Sequence, residues 1–494
     1  MRPDWLLTLA VSVIVAGFAR AEDTSRDEVL AALSKATSYF HNRIADHGGY
    51  AWVSSVDGKF REGEGVCGPG TIWVQPPGTP SVGMAFLDAY EASGNPIHLK
   101  QAQACAMALV KGQLLSGGWN YRIEFDPAKR REFTYRDGGS QTAKTPFPGG
   151  WDIWKKRQLK GNITVVDDDT TPAALRFLMR MDEKLKFGDK PIHEAVEYAL
   201  ASLQNAQYPV GAWSHNYDRF PTEPPDAKHY PVKAASIPDA WSRTWTKDFT
   251  GCYMLNDRIT QNAIATMSLA HRIYGEKKYQ EAAERGGKFL ALAQLPDPQP
   301  AWAQQYNRDM QPVWDRKFEP PAITGLESQD TLETLLKLYR ETGNKVHLEP
   351  IPKALAYLKK CELPEKKLAR FYELNTNKPL YFTKDYKITY DKDDVPTHYG
   401  FTFASRLDNI EREYQRLLDT KPDDLRKVRV SKRTKDLDAT VLKIIKAQNA
   451  EGAWTEPGTV RSPDGKKVTP KEGVVKSETL VKNVETLCRW LKAE

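Results

Sequence analysis

The chain has 494 residues and a formal net charge of +7. So mild an excess of positive charge attracts anionic partners only weakly, and the sequence has no stripe of Lys and Arg interleaved with aromatic residues, as nucleic-acid binding requires. We therefore exclude a nucleic-acid partner and interpret the basic run at 426–435 as a solvated connector.

The first 21 residues have the pattern of a secretory signal. Arg2 precedes an apolar run over residues 5–18, and Ala19-Arg20-Ala21 resembles a cleavage site. The run is too short for a membrane-spanning helix, and no later segment reaches the required length. The sequence predicts a secreted or periplasmic protein with a signal at 1–21 and no membrane span; an uncleaved membrane anchor is the alternative.

The cysteines do not form a metal-binding pattern. An odd number in an exported chain leaves at least one thiol unpaired, and the spacings fit no zinc site. Cys105 and Cys488 lie in helical apolar patterns, which favours buried free thiols. The sequence does not reveal any disulfide connectivity among the five: Cys67, Cys105, Cys252, Cys361 and Cys488.

A motif of the form Q-x-x-x-G-x-W recurs along the chain. Each copy follows a helical pattern of apolar residues and precedes a polar loop and another helix. This arrangement indicates repeated helical pairs. The copies are QLLSGGW (113–119), QYPVGAW (207–213) and QNAEGAW (448–454), with looser copies HGGYAW (47–52) and PQPAWAQQY (298–306).

The residues of the motif predict how the helical pairs assemble. A Gly after a helix takes the left-handed conformation that ends it, and the Trp two places on covers the helix end and packs against its neighbour. Helical hairpins of this kind need one another to bury their apolar faces. We expect an all-α fold, an (α/α) toroid or incomplete α/α barrel, that forms a single domain over 22–494. The loops of successive repeats should gather into one cleft.

Three consecutive aspartates, Asp167, Asp168 and Asp169, follow the apolar run NITVV and precede a helical pattern. Pro172 suits the first helical position and makes Thr171 the N-cap, so the helix dipole accounts for one or two acidic groups. It does not account for three clustered carboxylates beside a buried run, where their charges repel one another. A shared cation removes that repulsion, and calcium takes oxygen ligands of this kind.

Further charged residues follow in the later repeats. Asp257, in MLNDRITQNA, has the same setting as the aspartate run and is either a second metal ligand or a helix cap. Arg316 lies in a loop between two aromatic residues, flanked by Asp315 and Glu319, and is either functional or a surface group paired with these acids. Arg370 and Lys384 lie in an aromatic, strand-like stretch, where they suit either carboxylate binding or ordinary solvation.

The motif copies and the run VDDDT resemble the squalene and hopene cyclases, α-toroids that protonate a hydrocarbon with the sequence D-x-D-D-T. In this chain the first required acid falls on Val166, so the acidic motif is out of register. The export signal and polar loops also differ from the apolar, membrane-attached enzymes of that family. A terpenoid cyclase is the least favoured of three interpretations.

Five blocks, in order, resemble the pectic acid (pectate) lyases of polysaccharide lyase family 10, which are α-toroids. The blocks are SGGWNYRIEFD, NITVVDDDTT, MLNDRIT, AWAQQYN with DRKFEPPAITGLES, and RFYELNTNKP with FTKD. They cover roughly residues 111–390, and the last two are specific. The resemblance implies a lyase-like core at about 111–415, with extra helical repeats at 22–110 and 436–494.

The resemblance implies a Ca²⁺ site and a catalytic arginine. Asp167, with its neighbour Asp168, and Asp257 match the blocks that carry the family's calcium and substrate ligands. Arg316 matches the family's proposed Brønsted base. Arginine is normally never deprotonated in proteins, so Arg316 acts either as the base or as a group that stabilises the developing anion while another group takes the proton.

An anionic polysaccharide is the substrate that the resemblance implies. Arg370 matches one substrate-binding arginine of the family, and Lys384 stands where the family has a second. Asp167 and Trp213 complete the expected substrate contacts. The implied function is calcium-dependent β-elimination from pectate, polygalacturonate or a related polyuronate. Because Lys384 and the segment 394–401 depart from the family pattern, a non-catalytic polysaccharide-binding toroid is the alternative.

Overall fold

The computed structural model describes residues 24–136, 160–427 and 432–493. The signal predicted at 1–21 lies outside these ranges. The helices within them are α1 (Arg26–Tyr39), α2 (Thr79–Ser93), α3 (Pro96–Lys111), α4 (Pro127–Arg130), α5 (Thr170–Lys184), α6 (Lys190–Asn205), α7 (Ile259–Tyr274), α8 (Lys277–Leu292), α9 (Gly325–Thr342), α10 (Ile351–Lys360), α11 (Leu407–Leu418), α12 (Lys435–Lys446) and α13 (Ser477–Lys492).

The strands are short and lie in the loops between helices. The two largest sheets have four strands each, in the orders β18-β1-β2-β3 and β10-β12-β13-β14. The strands are β1 (Val53–Ser55), β2 (Arg61–Glu62), β3 (Val66–Cys67), β4 (Thr71–Trp73), β5 (Arg122–Glu124), β6 (Thr164–Val165), β7 (Asn216–Tyr217), β8 (Tyr253–Met254), β9 (Gln305–Tyr306), β10 (Ala322–Thr324), β11 (Lys367–Ala369), β12 (Phe371–Glu373), β13 (Pro379–Phe382), β14 (Ile388–Thr389), β15 (Thr402–Ala404), β16 (Val460–Arg461), β17 (Lys467–Val468) and β18 (Val474–Lys476).

The long helices pack in two layers. Helices α13, α2, α5, α7, α9 and α11 lie side by side in that order. Helices α3, α6, α8, α10 and α12 each pack against an inner neighbour, and α1 packs on both α12 and α13. The outer helices pack inward because each has one apolar face. In α8 the buried residues Tyr279, Ala282, Ala283, Gly286 and Phe289 follow the spacing of one helix face. The predicted all-α (α/α) toroid is confirmed.

The two ends of the described chain meet in the ring. Strand β1 pairs antiparallel with β18, with Ser54 opposite Val475. The side chain of Gln448, in the last motif copy, donates a hydrogen bond to the carbonyl oxygen of Ala32 in α1 at 2.9 Å. The first and last hairpins are therefore neighbours, and the extra N-terminal and C-terminal repeats pack against each other.

The Q-x-x-x-G-x-W motif clamps each outer helix to the next. The indole of Trp213 donates to the carbonyl of Leu203 at the end of α6 at 2.8 Å. Gln207 donates to the carbonyls of Gly211 and of Ala282 in α8, both at 2.9 Å. Gly211 has φ 108°, and a Cβ there would lie 2.1 Å from the carbonyl oxygen of Arg285. Only glycine permits this approach.

Trp213 is 0% exposed. Its ring has no face open to a sugar, so the prediction that it contacts the substrate is wrong. The residue has the same clamping role as Trp119 and Trp454, whose indole N–H groups also donate to the end of an outer helix, at 2.8 and 2.9 Å.

The looser motif copies keep this clamp with altered residues. In the copy at 298–306, Trp302 donates to the carbonyl of Leu290, but the capping amide is Gln294, which donates to Pro350 at 2.8 Å. In the copy at 47–52, Tyr50 is the fully buried ring, while Trp52 is only partly buried. Both copies therefore keep a buried ring against the helix end. The copy at 298–306 has extra residues between its glutamine and its tryptophan, and the copy at 47–52 has a tyrosine as the buried ring.

All five cysteines are buried, and no disulfide joins any two of them. Burial raises the pKa of the Cys67 thiol to about 11 and that of Cys488 to about 12. Cys105 and Cys488 face the core, as the helical patterns predicted. These thiols pack as small apolar groups.

Candidate active site

Two successive repeats present the same unusual turn. Strand β6 pairs with β7, and β8 pairs with β9; each of β6 and β8 is followed by one 3₁₀ turn that enters an inner helix. In each turn two consecutive residues have positive φ: Asp168 and Asp169 (50° and 59°), then Asp257 and Arg258 (47° and 61°). Such conformations are uncommon outside glycine and concentrate at functional sites. Asp168 and Asp257 therefore occupy equivalent positions.

These two turns bring together three carboxylates. One oxygen each from Asp167, Asp168 and Asp257 lies within 4.8 Å of the other two. Calcium binds oxygens at 2.3–2.6 Å, so two ligands of one ion lie at most about 5 Å apart. The Asp257 carboxylate makes no hydrogen bond within the described ranges, and it is exposed. The residues present thus fit one hard divalent cation; calcium binding stays a prediction.

The charges of the three carboxylates repel one another. Desolvation, followed by the charge of Asp257, raises the pKa of Asp167 to about 7. Desolvation and then Asp167 raise the pKa of Asp168 to about 7, and desolvation and then Glu319 raise that of Asp257. A cation bound among them offsets this repulsion.

Neighbouring side chains hold the two half-buried aspartates. Gln75, just after β4, donates to Oδ2 of Asp168 at 3.0 Å. The hydroxyl of Tyr121 is 3.4 Å from Oδ2 of Asp167, and the Asp168 N–H donates to Oδ1 of Asp167 at 3.0 Å. Gln75 lies outside the sequence blocks that resemble the lyases, and no sequence signal marked it.

The predicted helix cap after the aspartates is wrong. Helix α5 begins at Thr170 rather than at Pro172, because the positive φ of Asp169 starts the helix earlier. Thr171 is therefore inside the first turn, and its hydroxyl accepts the backbone N–H of Trp119 at 3.0 Å. Asp169 forms an ion pair with Arg176 at 2.5 Å. Its carboxylate is thus separate from the trio.

Arg316 is held by Glu319, one of the two flanking acids that the sequence offered as ion-pair partners. The guanidinium donates from Nε and Nη2 to the two carboxylate oxygens of Glu319, at 2.7 and 2.5 Å. The Arg316 side chain is 51% exposed, whereas that of Glu319 is fully buried. Desolvation lowers the pKa of Arg316, but the hydrogen bonds and charge of Glu319 outweigh it and raise the pKa. This geometry keeps Arg316 protonated.

Arg370 belongs to a buried network that reaches Arg316 through Tyr399 and Glu319. Its Nη1 donates to the hydroxyl of Tyr399 at 2.7 Å and lies 3.4 Å from Glu327, and its Nε donates to the carbonyl of Gly400. Glu327 is buried, and its Oε2 has no hydrogen-bond partner among the described residues. The Arg370 side chain is only 9% exposed. Most of its guanidinium is therefore used for contacts within the protein, and its predicted contact with the substrate stays a prediction.

Lys384 lies apart from these groups. It is in the turn between β13 and β14, its side chain is 65% exposed, and it pairs with Asp394 at 3.1 Å. No described contact joins it to the three carboxylates or to Arg316. Its predicted role in substrate binding stays a prediction.

A buried His–Asp pair completes the site. Nε2 of His215 is 3.6 Å from Oδ2 of Asp315, the residue before Arg316. Desolvation raises the pKa of Asp315 to about 6 and lowers that of His215. The carbonyl of His215 accepts the N–H groups of Val166 and Asp167, which fixes the first turn. His215 follows Trp213 by two residues, as Gln304 follows Trp302, so motif register could have identified it.

Comparisons with known proteins add no named family. No family model matches the chain, and no curated relative matches it. Assignment of chemistry therefore depends on the geometry of the carboxylates and arginines.

Within the described ranges, no helix is both apolar enough and long enough to cross a membrane.

Several solved structures are similar to this chain. A mutant family 10 polysaccharide lyase from Cellvibrio cellulosa, in complex with trigalacturonic acid, is 16% identical over 69% of this chain and 97% of its own, with TM-score 0.43. A GH76 alpha-mannanase from Bacteroides thetaiotaomicron is 9% identical over 95% and 96%, with TM-score 0.43. A cellobiose 2-epimerase from Spirochaeta thermophila is 12% identical over 94% and 96%, with TM-score 0.45.

Proposed function

We propose that this chain is an exported, calcium-dependent polysaccharide lyase that cleaves pectate, polygalacturonate or a related polyuronate by β-elimination. The convergence of Asp167, Asp168 and Asp257 from two repeats carries the proposal. Export rests on the sequence of residues 1–21 alone. The choice of a polyuronate rests on the sequence blocks that resemble the lyases.

The three carboxylates would hold the cation. When bound there, calcium supplies a positive charge that acidifies the proton on carbon 5 of a coordinated uronate. Gln75 and Tyr121 orient two of these carboxylates before any ligand arrives, which lowers the cost of assembling the site.

Arg316 stabilises the negative charge that develops as the proton leaves. Its pairing with Glu319 keeps the guanidinium charged, and half of the side chain is exposed to solvent. A fixed donor aimed at developing charge lowers the barrier without reorganisation. This geometry favours the role of anion stabiliser over that of base, so the proton on carbon 5 passes to another acceptor.

An ultraviolet assay tests the proposal. Mature protein with polygalacturonate and calcium should yield the absorbance of an unsaturated uronate, and a chelator should suppress it. The variant D257A should lose this activity, while D423A, which removes an exposed aspartate in the α11–α12 connection, should retain it. Absence of product on every polyuronate would refute the proposal.

One observation favours a second candidate, a non-catalytic polysaccharide-binding toroid. The arginine matched to the family's base is locked to Glu319 in its charged form. Calcium-dependent binding of polygalacturonate without any unsaturated product would establish this alternative. The terpenoid cyclase interpretation finds no comparable support, because the candidate site consists of ionisable groups, Asp167, Asp257 and Arg316, rather than apolar ones.

A further inference from the structure

Tyr399 links the two arginines of the candidate site. Its hydroxyl lies 2.7 Å from Nη1 of Arg370 and 2.7 Å from Oε1 of Glu319. The guanidinium carbon of Arg370 is 4.2 Å from the centre of its ring, and that of Arg316 is 5.6 Å away. Tyr399 belongs to the segment 394–401, which departs from the pattern of the lyases.

The direction of each hydrogen bond is determined by the groups present. A guanidinium only donates, so the Tyr399 oxygen accepts from Arg370 and its own hydrogen goes to Glu319. Desolvation and then the charge of Glu319 raise the pKa of Tyr399, so the hydroxyl keeps this hydrogen. Glu319 is left with donors on both oxygens: Arg316 on each, and Tyr399 on one.

This arrangement determines which edge of Arg316 is open. Nε and Nη2 face Glu319, and Nη1 makes no hydrogen bond within the described part of the chain. Because Glu319 is fully buried and Tyr399 holds one of its oxygens, the carboxylate cannot turn to follow Arg316. The exposed edge of the guanidinium therefore has one orientation.

We propose that Tyr399 is a positioning residue, which holds Glu319 and through it Arg316 in the orientation that binds a sugar carboxylate. The identity of the ligand as a carboxylated sugar rests on the proposed function. The role of Tyr399 is thus to discriminate carboxylated from neutral saccharides, with Arg370 setting the direction of its hydroxyl.

The test compares Y399F with the matched control Y386F. Both tyrosines pack on Phe318, with ring centres 4.6 Å away for Tyr399 and 5.8 Å away for Tyr386. The hydroxyl of Tyr386, however, makes no hydrogen bond to any described residue. Binding of trigalacturonate and of its fully methyl-esterified form is measured by calorimetry in calcium buffer, beside KM on polygalacturonate. Y399F should bind trigalacturonate about tenfold more weakly, with KM raised to match. Binding of the ester should not change.

The possible outcomes distinguish a failure of the Tyr399 inference from a failure of the proposed lyase function. Y386F should bind both probes as the wild type does; a Y399F variant that also does so overturns the inference. If Y399F fails to fold, E319Q is compared with E319Q/Y399F. Because Tyr399 acts through Glu319, the two variants should discriminate equally between the probes, and a further loss in the double variant overturns the inference. Wild-type binding of trigalacturonate without cleavage refutes the lyase proposal alone. A wild-type protein that does not prefer the carboxylated probe refutes both.

Discussion

The side-chain amide of Gln75 donates a hydrogen bond to Oδ2 of Asp168, a residue 93 positions further along the chain. Trp73 determines the orientation of this amide, because its indole N–H donates to Oε1 of Gln75 at 3.0 Å and leaves the nitrogen to face Asp168. Gln75 belongs to the N-terminal repeat, outside the blocks that resemble the lyases. One carboxylate of the candidate calcium site is thus held by a part of the chain that the resemblance does not cover.

We therefore expect Q75A to weaken calcium binding. Loss of an outer hydrogen bond to a metal ligand typically costs about tenfold or more in affinity, and calorimetry with calcium alone measures it. The matched control is Q103A, which removes a similar Gln–Asp hydrogen bond of 2.7 Å to Asp189 between outer helices. Equal calcium affinities for Q75A and wild type would contradict this role.

The variant E319Q should distinguish the two possible roles of Arg316, because it should raise activity if Arg316 is the base and lower it if Arg316 stabilises the developing anion. E319Q removes the charge that raises the pKa of Arg316, so it should increase activity near neutral pH if Arg316 is the base. We expect instead a fall of about a hundredfold in kcat, because Arg316 stays charged but is no longer fixed near the developing charge.

A conservative arginine variant provides the second arm of this test. R316K keeps a positive charge but cannot form the two-pronged pairing with Glu319, so we expect a comparable loss of kcat. R131K, at an exposed arginine, should have wild-type activity. R131K thus controls for the change from Arg to Lys away from the candidate site.

The pairing of His193 with Asp182 predicts a pH-dependent contribution to stability. Nδ1 of His193 lies 2.8 Å from the fully buried Asp182 carboxylate, which also accepts the Tyr274 hydroxyl. This hydrogen bond raises the pKa of His193. Its contribution is therefore complete below about pH 6.5, the ordinary value, and is lost as the pH rises through the raised value.

Thermal unfolding of H193Q measures this contribution. The midpoint of H193Q should fall further below that of the wild type at pH 6 than at pH 9. A difference that stays constant, or grows with pH, would contradict the expected direction.

Replacing the motif glycine Gly211 by alanine should destabilise the protein through a steric clash. Comparison with Gly275 separates this clash from the strain of a positive φ. Gly211 (φ 108°) and Gly275 (φ 73°) both have positive φ, but a Cβ at Gly275 would meet nothing within 4 Å. G275A should cost about 1 kcal/mol of stability through its backbone conformation alone. G211A should cost clearly more, since its Cβ overlaps the carbonyl of Arg285. Denaturant unfolding compares them, and equal losses would contradict the clamp.

The fold could be predicted because each repeat carries its own local signal. The Gly and Trp of one motif copy end and cover the helix that directly precedes them, so spacing alone identifies the ends of the helices that form the hairpins. Two details differ, since Gln294 replaces the expected glutamine of one copy and Tyr50 the expected tryptophan of another.

The candidate site was only partly predictable. Asp167 and Asp168 adjoin in the sequence, and Asp257 lies in the same setting one repeat later. Glu319 could be identified as an ion-pair partner because it lies three positions from Arg316. Gln75 and Tyr399 could not, because their contacts with Asp168 and Glu319 join segments that are distant in the sequence. The proposed substrate contact of Trp213 failed for the opposite reason: the motif that marks it is a packing signal, and its ring is used entirely for packing.

The closure of β1 on β18 has a consequence for how the ring forms. Helix α13, which packs on both α1 and α2, is the last of the described helices, and Gln448 reaches Ala32 across 416 positions. During synthesis from the N-terminus, the first hairpin therefore exposes an apolar side until the final helix arrives. Contacts of such long separation slow folding. Chains shortened by one helix at the C-terminus should consequently lose the packing of the first repeat, the one that carries Gln75.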